Sequence, residues 1–428
     1  MSTEKTMKTG EKDLLLFEGS VLGFAEMPGQ ARSGIFVETF EVFRQFLRRK
    51  IPMMIMCDIL MFPYMKKTIN KYFSGDNIEV MYYVRWKQSL GGESEADRKI
   101  RHLIKCFCFL IITVPLDIIN RINGKKRKAM NAAAFLSTAY AMPEFILKND
   151  KIKKFLCLQD AIPLLFPEYY PQMKDKHYWY NEMIVQINDR NRYFAISQST
   201  KSDILRLFPD VRPEQIDVIY LGKDKRYVNK GFLPDDIKAK YHIGEISKYF
   251  FSLCTLEPRK NLIRSIKCFL KFIKDYDIQD LVYVIAGGNW KKFRTVFDKE
   301  FVTEELYKEK VYFIGYVEDD DLPYLYSGAE CFVFTSQYEG FGLPVLEAMS
   351  CGCPVITSNS SSLPEVIGQE GISIQWDSDE EHIEAYYTVY TDMEMRNRLR
   401  TGGMNRAKSF SWEECADKML KVMNECNG

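Results

Sequence analysis

The chain has 428 residues, 46% of them hydrophobic and 27% charged, enough for two folded domains and too apolar for a disordered chain. Its 59 basic and 58 acidic residues leave a formal net charge of +1, without the basic surplus with which a nucleic-acid binder gathers phosphates. Eleven cysteines scattered through apolar runs read as buried thiols of a reducing compartment, and four isolated histidines give no metal-ligand spacing.

The opening segment, MSTEKTMKTGEKD, is polar and lacks the apolar stretch of a signal peptide, so a cytoplasmic location is expected. Apolar runs at 14–17, 52–57, 78–84 and 155–158 predict strands, and the spacing in IFVETFEVFRQFLR predicts a helix over 35–48. The longest apolar stretch, CFCFLIITVPL at 106–116, falls short of the ~20 residues that span a bilayer. Arg101 and Lys105 precede it, and Lys125, Lys126, Arg127 and Lys128 follow it. The favoured reading is a buried element and a solvated loop; the alternative is peripheral contact of residues 101–128 with an anionic membrane face. RYFAIS at 192–197 predicts a strand entering a helix, and DVIYL at 217–221 predicts the last strand before a linker. The polar stretch 223–247, with Gly231, Pro234 and Gly244, marks the boundary between domains at 1–235 and 245–410.

In the second half, strands predicted at 248–254, 281–287, 311–315, 331–336 and 354–358 alternate with helices. Those helices begin near Leu262, Trp290, Leu322 and Pro344, with one more around LPEVIG, and Leu262, Ile266, Phe269 and Ile273 give the first an apolar face. This is the rhythm of a doubly wound parallel sheet, which binds ligands beyond the C-terminal ends of its strands. Ser411 and Glu414 form a capping-box pattern for a final helix within 411–428.

Two of the strand-to-helix loops carry chemistry. In EGFGLPVLE, residues 339–347, Gly340 and Gly342 permit a tight turn and Pro344 suits a first helical turn, which leaves free amides facing an anion such as a diphosphate. Glu339 and Glu347 bracket the turn, either able to accept hydrogen bonds from sugar or ribose hydroxyls. Glu347 lies among apolar neighbours, where an idle carboxylate would be costly. In EPRKN, residues 257–261, Arg259 and Lys260 stand beside a helix N-terminus, a poor place for cations unless an anion is bound there. A surface basic pair is the plainer alternative, but the shared sheet edge favours phosphate binding.

EPRKN, the AGG after a strand, the segment from IGYVEDDD to EGFGLPVLEAMSCGCPVI, and SSLPEVIG together resemble glycosyltransferase family 4, closely over about 248–370 and loosely before that. The resemblance implies an α/β GT-B fold: two Rossmann-like doubly wound parallel-sheet domains facing a cleft, with the last helix crossing back to the first domain. It implies a retaining hexosyltransferase that needs no metal and no cofactor beyond its donor substrate, a nucleotide-diphosphate sugar. Arg259 and Lys260 would neutralise the diphosphate, Glu347 would hold the ribose, and Glu339 with the amides of Phe341, Gly342 and Leu343 would hold sugar and phosphate. The base would rest near Gly315, Tyr316 and Val317, and Gly34 would face the phosphates from the first domain. Asp160, in LQDAIPL, matches the family's His-Asp or Tyr-Asp motif at the sugar and acceptor side, with Gln159 in place of the aromatic residue. Ser197 and Lys201 match a further loop near the cleft.

The expected activity is transfer of a hexose, mannose from GDP-mannose by analogy, to a saccharide or lipid-linked saccharide in cell-surface polysaccharide synthesis. A UDP- or dTDP-sugar donor and a catalytically weak sugar-nucleotide-binding protein are the alternatives; a phosphorylase lacks its pyridoxal-lysine motif. The acidic run 318–321, before a helix, is expected to cap that helix rather than bind metal.

Overall fold

The computed structural model describes residues 13–27, 34–76, 78–83, 115, 118–176, 178–244, 248–288, 296–297 and 299–426. The apolar stretch 106–116, His177 and the helix expected from Trp290 therefore lie largely or wholly outside the described residues. No described helix is long and apolar enough to cross a membrane.

The chain divides into two compact units: residues up to 196, 201–219 and 415 onward, and residues 197–200 with 220–414. Each is built on one parallel sheet. The first sheet holds β1 (Leu15–Glu18), β2 (Met53–Asp58), β3 (Glu79–Tyr83), β4 (Ala134–Ser137), β5 (Lys153–Leu158), β6 (Arg192–Ala195) and β7 (Ile216–Val218), in the order β3-β2-β1-β4-β5-β6-β7. The second holds β8 (Lys248–Leu253), β9 (Leu281–Ala286), β10 (Val311–Gly315), β11 (Cys331–Phe334), β12 (Val355–Ser358) and β13 (Ile372–Ile374), in the order β10-β9-β8-β11-β12-β13.

Both orders reverse direction once, between β1 and β4 and between β8 and β11. At such a switch point the two following connections leave on opposite faces and open a crevice between them. The pairing Cys331↔Phe250 and Phe332↔Phe251 sets β11 beside β8, so residues 254–261 and 335–342 emerge side by side. The sequence places both loops at one sheet edge; strand order makes them neighbours.

Every strand of the second sheet except β13 was legible as an apolar run. In the first sheet β4, AFLS, was not: four residues after two alanines carry almost no strand signal. The sheet nevertheless places β4 centrally, with Phe135 and Leu136 fully buried. The helix Leu262–Asp275 buries Leu262, Ile266, Phe269 and Ile273 as its spacing requires, packed with Phe250, Phe272 and Tyr386. Each such side chain contributes about 1.5–3 kcal/mol by leaving water.

The segment 220–235, assigned from composition to the first domain, groups with the second unit. Tyr227, Leu233, Ile237 and Tyr241 are buried, and a helix, Asp235–Lys240, occupies the stretch expected to be a linker. The acidic run holds this segment in place. Lys240 Nζ lies 2.9 Å from Glu318 and 2.7 Å from Asp321, the Tyr241 hydroxyl donates to Asp321 at 2.7 Å, and Arg226 pairs with Asp319 and Asp320 at 3.6 and 3.3 Å. The expectation of helix capping is thus corrected. Asp321 occupies the N-cap position of Leu322–Gly328, but its side chain makes no capping bond, being already engaged by Lys240 and Tyr241.

At the C-terminus, Ser411 Oγ accepts from Glu414 N at 3.0 Å, as the capping-box pattern predicts, and opens the helix Trp412–Glu425. From residue 415 this helix belongs to the first unit, where Asp417 pairs with Arg49 at 2.7 Å.

Candidate active site

After β8 the chain makes one 3-10 turn, Pro258–Lys260, and Asn261 takes a left-handed conformation, φ 56°, before the next helix. The Asn261 side chain is fixed by the carbonyls of Thr335 and Trp376 at 3.2 and 2.5 Å. This conformation turns Arg259 and Lys260 toward the loop after β11. Arg259 is 6% exposed, a burial that basic side chains tolerate only with partners.

The partners come from the second loop. Lys260 Nζ lies 2.6 Å from Glu339 Oε1, and Arg259 Nη1 lies 3.2 Å from Glu339 Oε2. Arg259 also donates to the Tyr338 carbonyl and pairs with Glu257 at 3.2 Å. Gln337 N donates to the Arg259 carbonyl at 2.8 Å, which ties the loops together through backbone as well. Burial works to raise the Glu339 pKa, but Lys260 and Arg259 outweigh it and hold the carboxyl below its ordinary value. Glu339 is thus ionised, and it is engaged with the two cations.

Gly342, at φ +115°, turns the chain into the helix Leu343–Ser350. Among the described residues, the amides of Phe341, Gly342 and Leu343 have no hydrogen-bond partner. They are the free donors of a helix N-terminus beside two cations, an arrangement suited to a multiply charged anion. Arg259, Lys260 and Glu339 carry +1 between them, and Glu257 balances even that, so an anion here draws on the amides as well as the side-chain charges.

The turn owes its shape to three serines after β12. Ser361 Oγ accepts from Glu339 N at 2.8 Å, and the Ser362 hydroxyl lies between the carbonyls of Glu339 and Phe341, at 3.1 and 2.8 Å. Ser360 donates to the Gln337 carbonyl at 2.6 Å. The run of three serines after β12 was the available signal, and β12 pairing with β11 is what puts it there.

Glu347 sits one turn into the helix, where Tyr326 donates to it at 3.2 Å and the Tyr227 hydroxyl stands close enough to influence its charge. Burial pushes its carboxyl up to about 8; the two tyrosines oppose that rise, and Asp319 and Asp224 add to it. Of the expected base-binding segment, Val317 is buried and Tyr316 is 64% exposed. Ser197 is buried with its hydroxyl on Thr200, and Lys201 donates to the Ile216 carbonyl at 2.7 Å, so both serve local structure.

Asp160 and Gly34 belong to the first unit. Gly34 is exposed at the start of the helix Gly34–Arg48, which follows the switch-point strand β1. Asp160, just past β5, accepts from Ile162 N at 2.9 Å, and its carbonyl accepts from the Tyr180 hydroxyl at 2.9 Å. Gln159 Nε2 donates to Glu38 on the Gly34–Arg48 helix and to the Thr138 carbonyl at 2.8 Å, and Thr39 and Thr138 share a hydroxyl hydrogen bond of 2.6 Å. The segments bearing Gly34 and Asp160 are therefore linked. Glu38 was not anticipated, because an acidic residue in an amphipathic helix reads as solvated.

Residues 235–406 match the family model described as glycosyl transferases group 1. The chain is 28% identical over 335 residues to the O-antigen chain mannosyltransferase B of Escherichia coli, covering 77% of this chain and 85% of that one. It is 28% identical over 270 residues to the serotype-specific mannosyltransferase WbdA of E. coli, spanning 61% of this chain but only 32% of that longer protein. Among solved structures, Anabaena HepE in complex with UDP and glucose superposes with a TM-score of 0.65 at 15% identity, covering 96% of this chain and 99% of the other. WaaG, a glycosyltransferase involved in lipopolysaccharide biosynthesis, gives 0.62 at 12% identity with the same coverage. These structural likenesses carry the fold, which is GT-B.

Proposed function

Residues 235–406 form a group 1 glycosyltransferase domain within a GT-B chain, and from that premise we propose that this glycosyltransferase is a retaining hexosyltransferase using a nucleotide-diphosphate sugar. GDP-mannose is the proposed donor, supported by the mannosyltransferases among its relatives, and a saccharide or lipid-linked saccharide of a cell-surface polysaccharide is the proposed acceptor. The observation that carries the reading is the convergence of Arg259, Lys260 and the free amides of 341–343 at one switch point.

In this reading Arg259, Lys260 and the three amides hold the diphosphate and stabilise the charge that develops as the sugar–phosphate bond breaks. Lys260 has two further N–H bonds besides the one toward Glu339, so it can reach a phosphate oxygen without giving up its carboxylate. Glu339 keeps both cations in place and meets the donor sugar; Glu347 receives ribose hydroxyls. Asp160 stands on the acceptor side, and the acceptor attacks the anomeric carbon on the face the nucleotide leaves. The side-chain cations take the role that a metal ion fills elsewhere, so metal-independent transfer is proposed, in the cytoplasm or peripherally at the inner membrane face. The test is transfer from a panel of GDP-, UDP- and dTDP-sugars to methyl α-mannoside and lipid-linked saccharides, with and without EDTA, read by product mass. Mannosyl transfer from GDP-mannose is expected, unchanged by EDTA; binding of nucleotide sugars with no transfer or hydrolysis would favour the binding-protein alternative.

A further inference from the structure

Glu365, in the segment SSLPEVIG, is half-buried and has no part in the donor chemistry above. It stands in the short helix Leu363–Ile367, directly after the serines that shape the donor turn. Its Oε1 accepts from Ser199 N at 2.8 Å, and its Oε2 accepts from Gln198 N at 2.7 Å and from the Tyr220 hydroxyl at 3.0 Å. The two amides open the helix Gln198–Leu207, an end that favours negative charge. Residues 197–200 and Tyr220 group with the second unit, so the arrangement lies within the unit that carries the donor turn.

Each carboxylate oxygen leads to one end of that turn. On the Oε1 side, the Ser199 and Tyr338 hydroxyls share a hydrogen bond of 3.1 Å, and the Tyr338 carbonyl receives Arg259 immediately before Glu339. On the Oε2 side, the Tyr220 ring packs on Phe341 and Phe410, with centroids 6.1 and 5.8 Å away, and Phe341 meets Phe410 edge to face at 5.9 Å. Phe341 is buried, so its backbone follows where this aromatic wall sets the ring. Arg406 secures the base: it donates to the Glu365 carbonyl at 2.8 Å, with its guanidinium over Phe410. Glu339 is thereby bracketed by two supports that meet on one carboxylate.

We propose that Glu365 is a positioning residue that braces both ends of the donor turn 338–341, holding the Tyr338 carbonyl and the Phe341 amide at the spacing a diphosphate needs. The role rests on the diphosphate reading above, and Glu365 acts through Tyr338 and Tyr220 without touching the donor. All three groups it accepts from are donors. A glutamine in its place has one acceptor oxygen and one donor nitrogen, so it cannot serve Ser199 N and the Gln198–Tyr220 side together. One support then lapses.

Calorimetry on the full chain with pyrophosphate and guanosine reads the brace. Glu365→Ala is expected to weaken pyrophosphate about tenfold and Glu365→Gln about threefold, with guanosine within about twofold. Tyr338→Phe and Tyr220→Phe each remove one hydroxyl link and should cost about threefold. With both of these in place, Glu365→Ala or Glu365→Gln should weaken pyrophosphate no further, while the loss of thermal stability from uncapping the helix Gln198–Leu207 persists. Affinity and melting temperature that fall together in both backgrounds would mark a purely structural carboxylate and overturn the proposal, as would wild-type pyrophosphate affinity in Glu365→Gln.

A second measurement needs no ligand. The amides of Gln337 and Glu339 are bonded to the Arg259 carbonyl and to Ser361 Oγ. In Glu365→Gln they should exchange with solvent faster than in the wild type, with the amides of β11 unchanged. Equal exchange in the two proteins overturns the proposal. Faster exchange in the variant of a protein whose wild type binds no pyrophosphate would sustain the brace while refuting the diphosphate site it serves.

Discussion

Replacing Lys260 with methionine keeps an unbranched side chain only one atom shorter and removes its charge. The side chain is 12% exposed, its ammonium 2.6 Å from Glu339 and beside the free amides of the helix that begins at Leu343. Charge-assisted hydrogen bonds contribute about 1.5–3 kcal/mol, so Lys260→Met should weaken GDP binding roughly 10- to 150-fold. Titration calorimetry with GDP, inorganic pyrophosphate and guanosine separates the causes. GDP and pyrophosphate should lose affinity together while guanosine is unaffected. An equal loss for guanosine would mean that the pocket had collapsed, and wild-type affinity for pyrophosphate would refute the convergence of charge on a diphosphate.

The same variant has a stability signature. Glu339 is held below its ordinary pKa, so its contribution is present above the unfolded value near 4.5 and is lost as pH falls through the folded value. With one of its two cations gone that acid-side contribution shrinks. The gap in unfolding midpoint between wild type and Lys260→Met should therefore narrow below about pH 4, and a gap independent of pH would argue against the pairing.

Further outcomes follow from the other buried carboxyls and from two glycines. Ribose hydroxyls donate to an ionised Glu347, whose carboxyl stands at about 8, so GDP-mannose affinity should rise from about pH 6.5 to 8.5 in the wild type and stay flat in Glu347→Gln; parallel profiles in calorimetry would count against the ribose role. Burial raises Glu38 to about 7, with Gln159 and Cys157 opposing the rise, so the stability linked to its protonated form is full below about pH 4.5 and lost as pH rises through 7. The wild type should lose about 3 kcal/mol relative to Glu38→Gln between pH 5 and 8 in urea unfolding, and a pH-independent difference would contradict a buried ionisable group there. Gly342→Ala combines φ +115° with a Cβ 2.9 Å from Leu363, and should cost about 1–3 kcal/mol and weaken GDP binding, read by melting and calorimetry. At Gly287, φ +145°, a Cβ would overlap the Cys254 carbonyl oxygen, so Gly287→Ala should fail to yield soluble protein; a normal yield would mean that β9 does not end against β8 in this way.

By itself, the sequence determined what local chemistry can determine. Apolar runs placed most strands, the period of Leu262, Ile266, Phe269 and Ile273 placed a helix and its buried face, and Gly342 with Pro344 marked a turn into a helix N-terminus. Those signals lie within a few residues of the atoms they govern, so periodicity and backbone preference expose them. Strand order, in contrast, depends on partners far apart in the chain, and it alone brought Lys260, with Arg259 beside it, onto Glu339 across 79 residues. It also turned residues with no distinctive pattern into parts of the site: the serines 360–362, the tyrosines around Glu347, and Glu38 against Gln159, 121 residues away. A buried polar group is decided by whatever faces it, and only the packed chain says what that is.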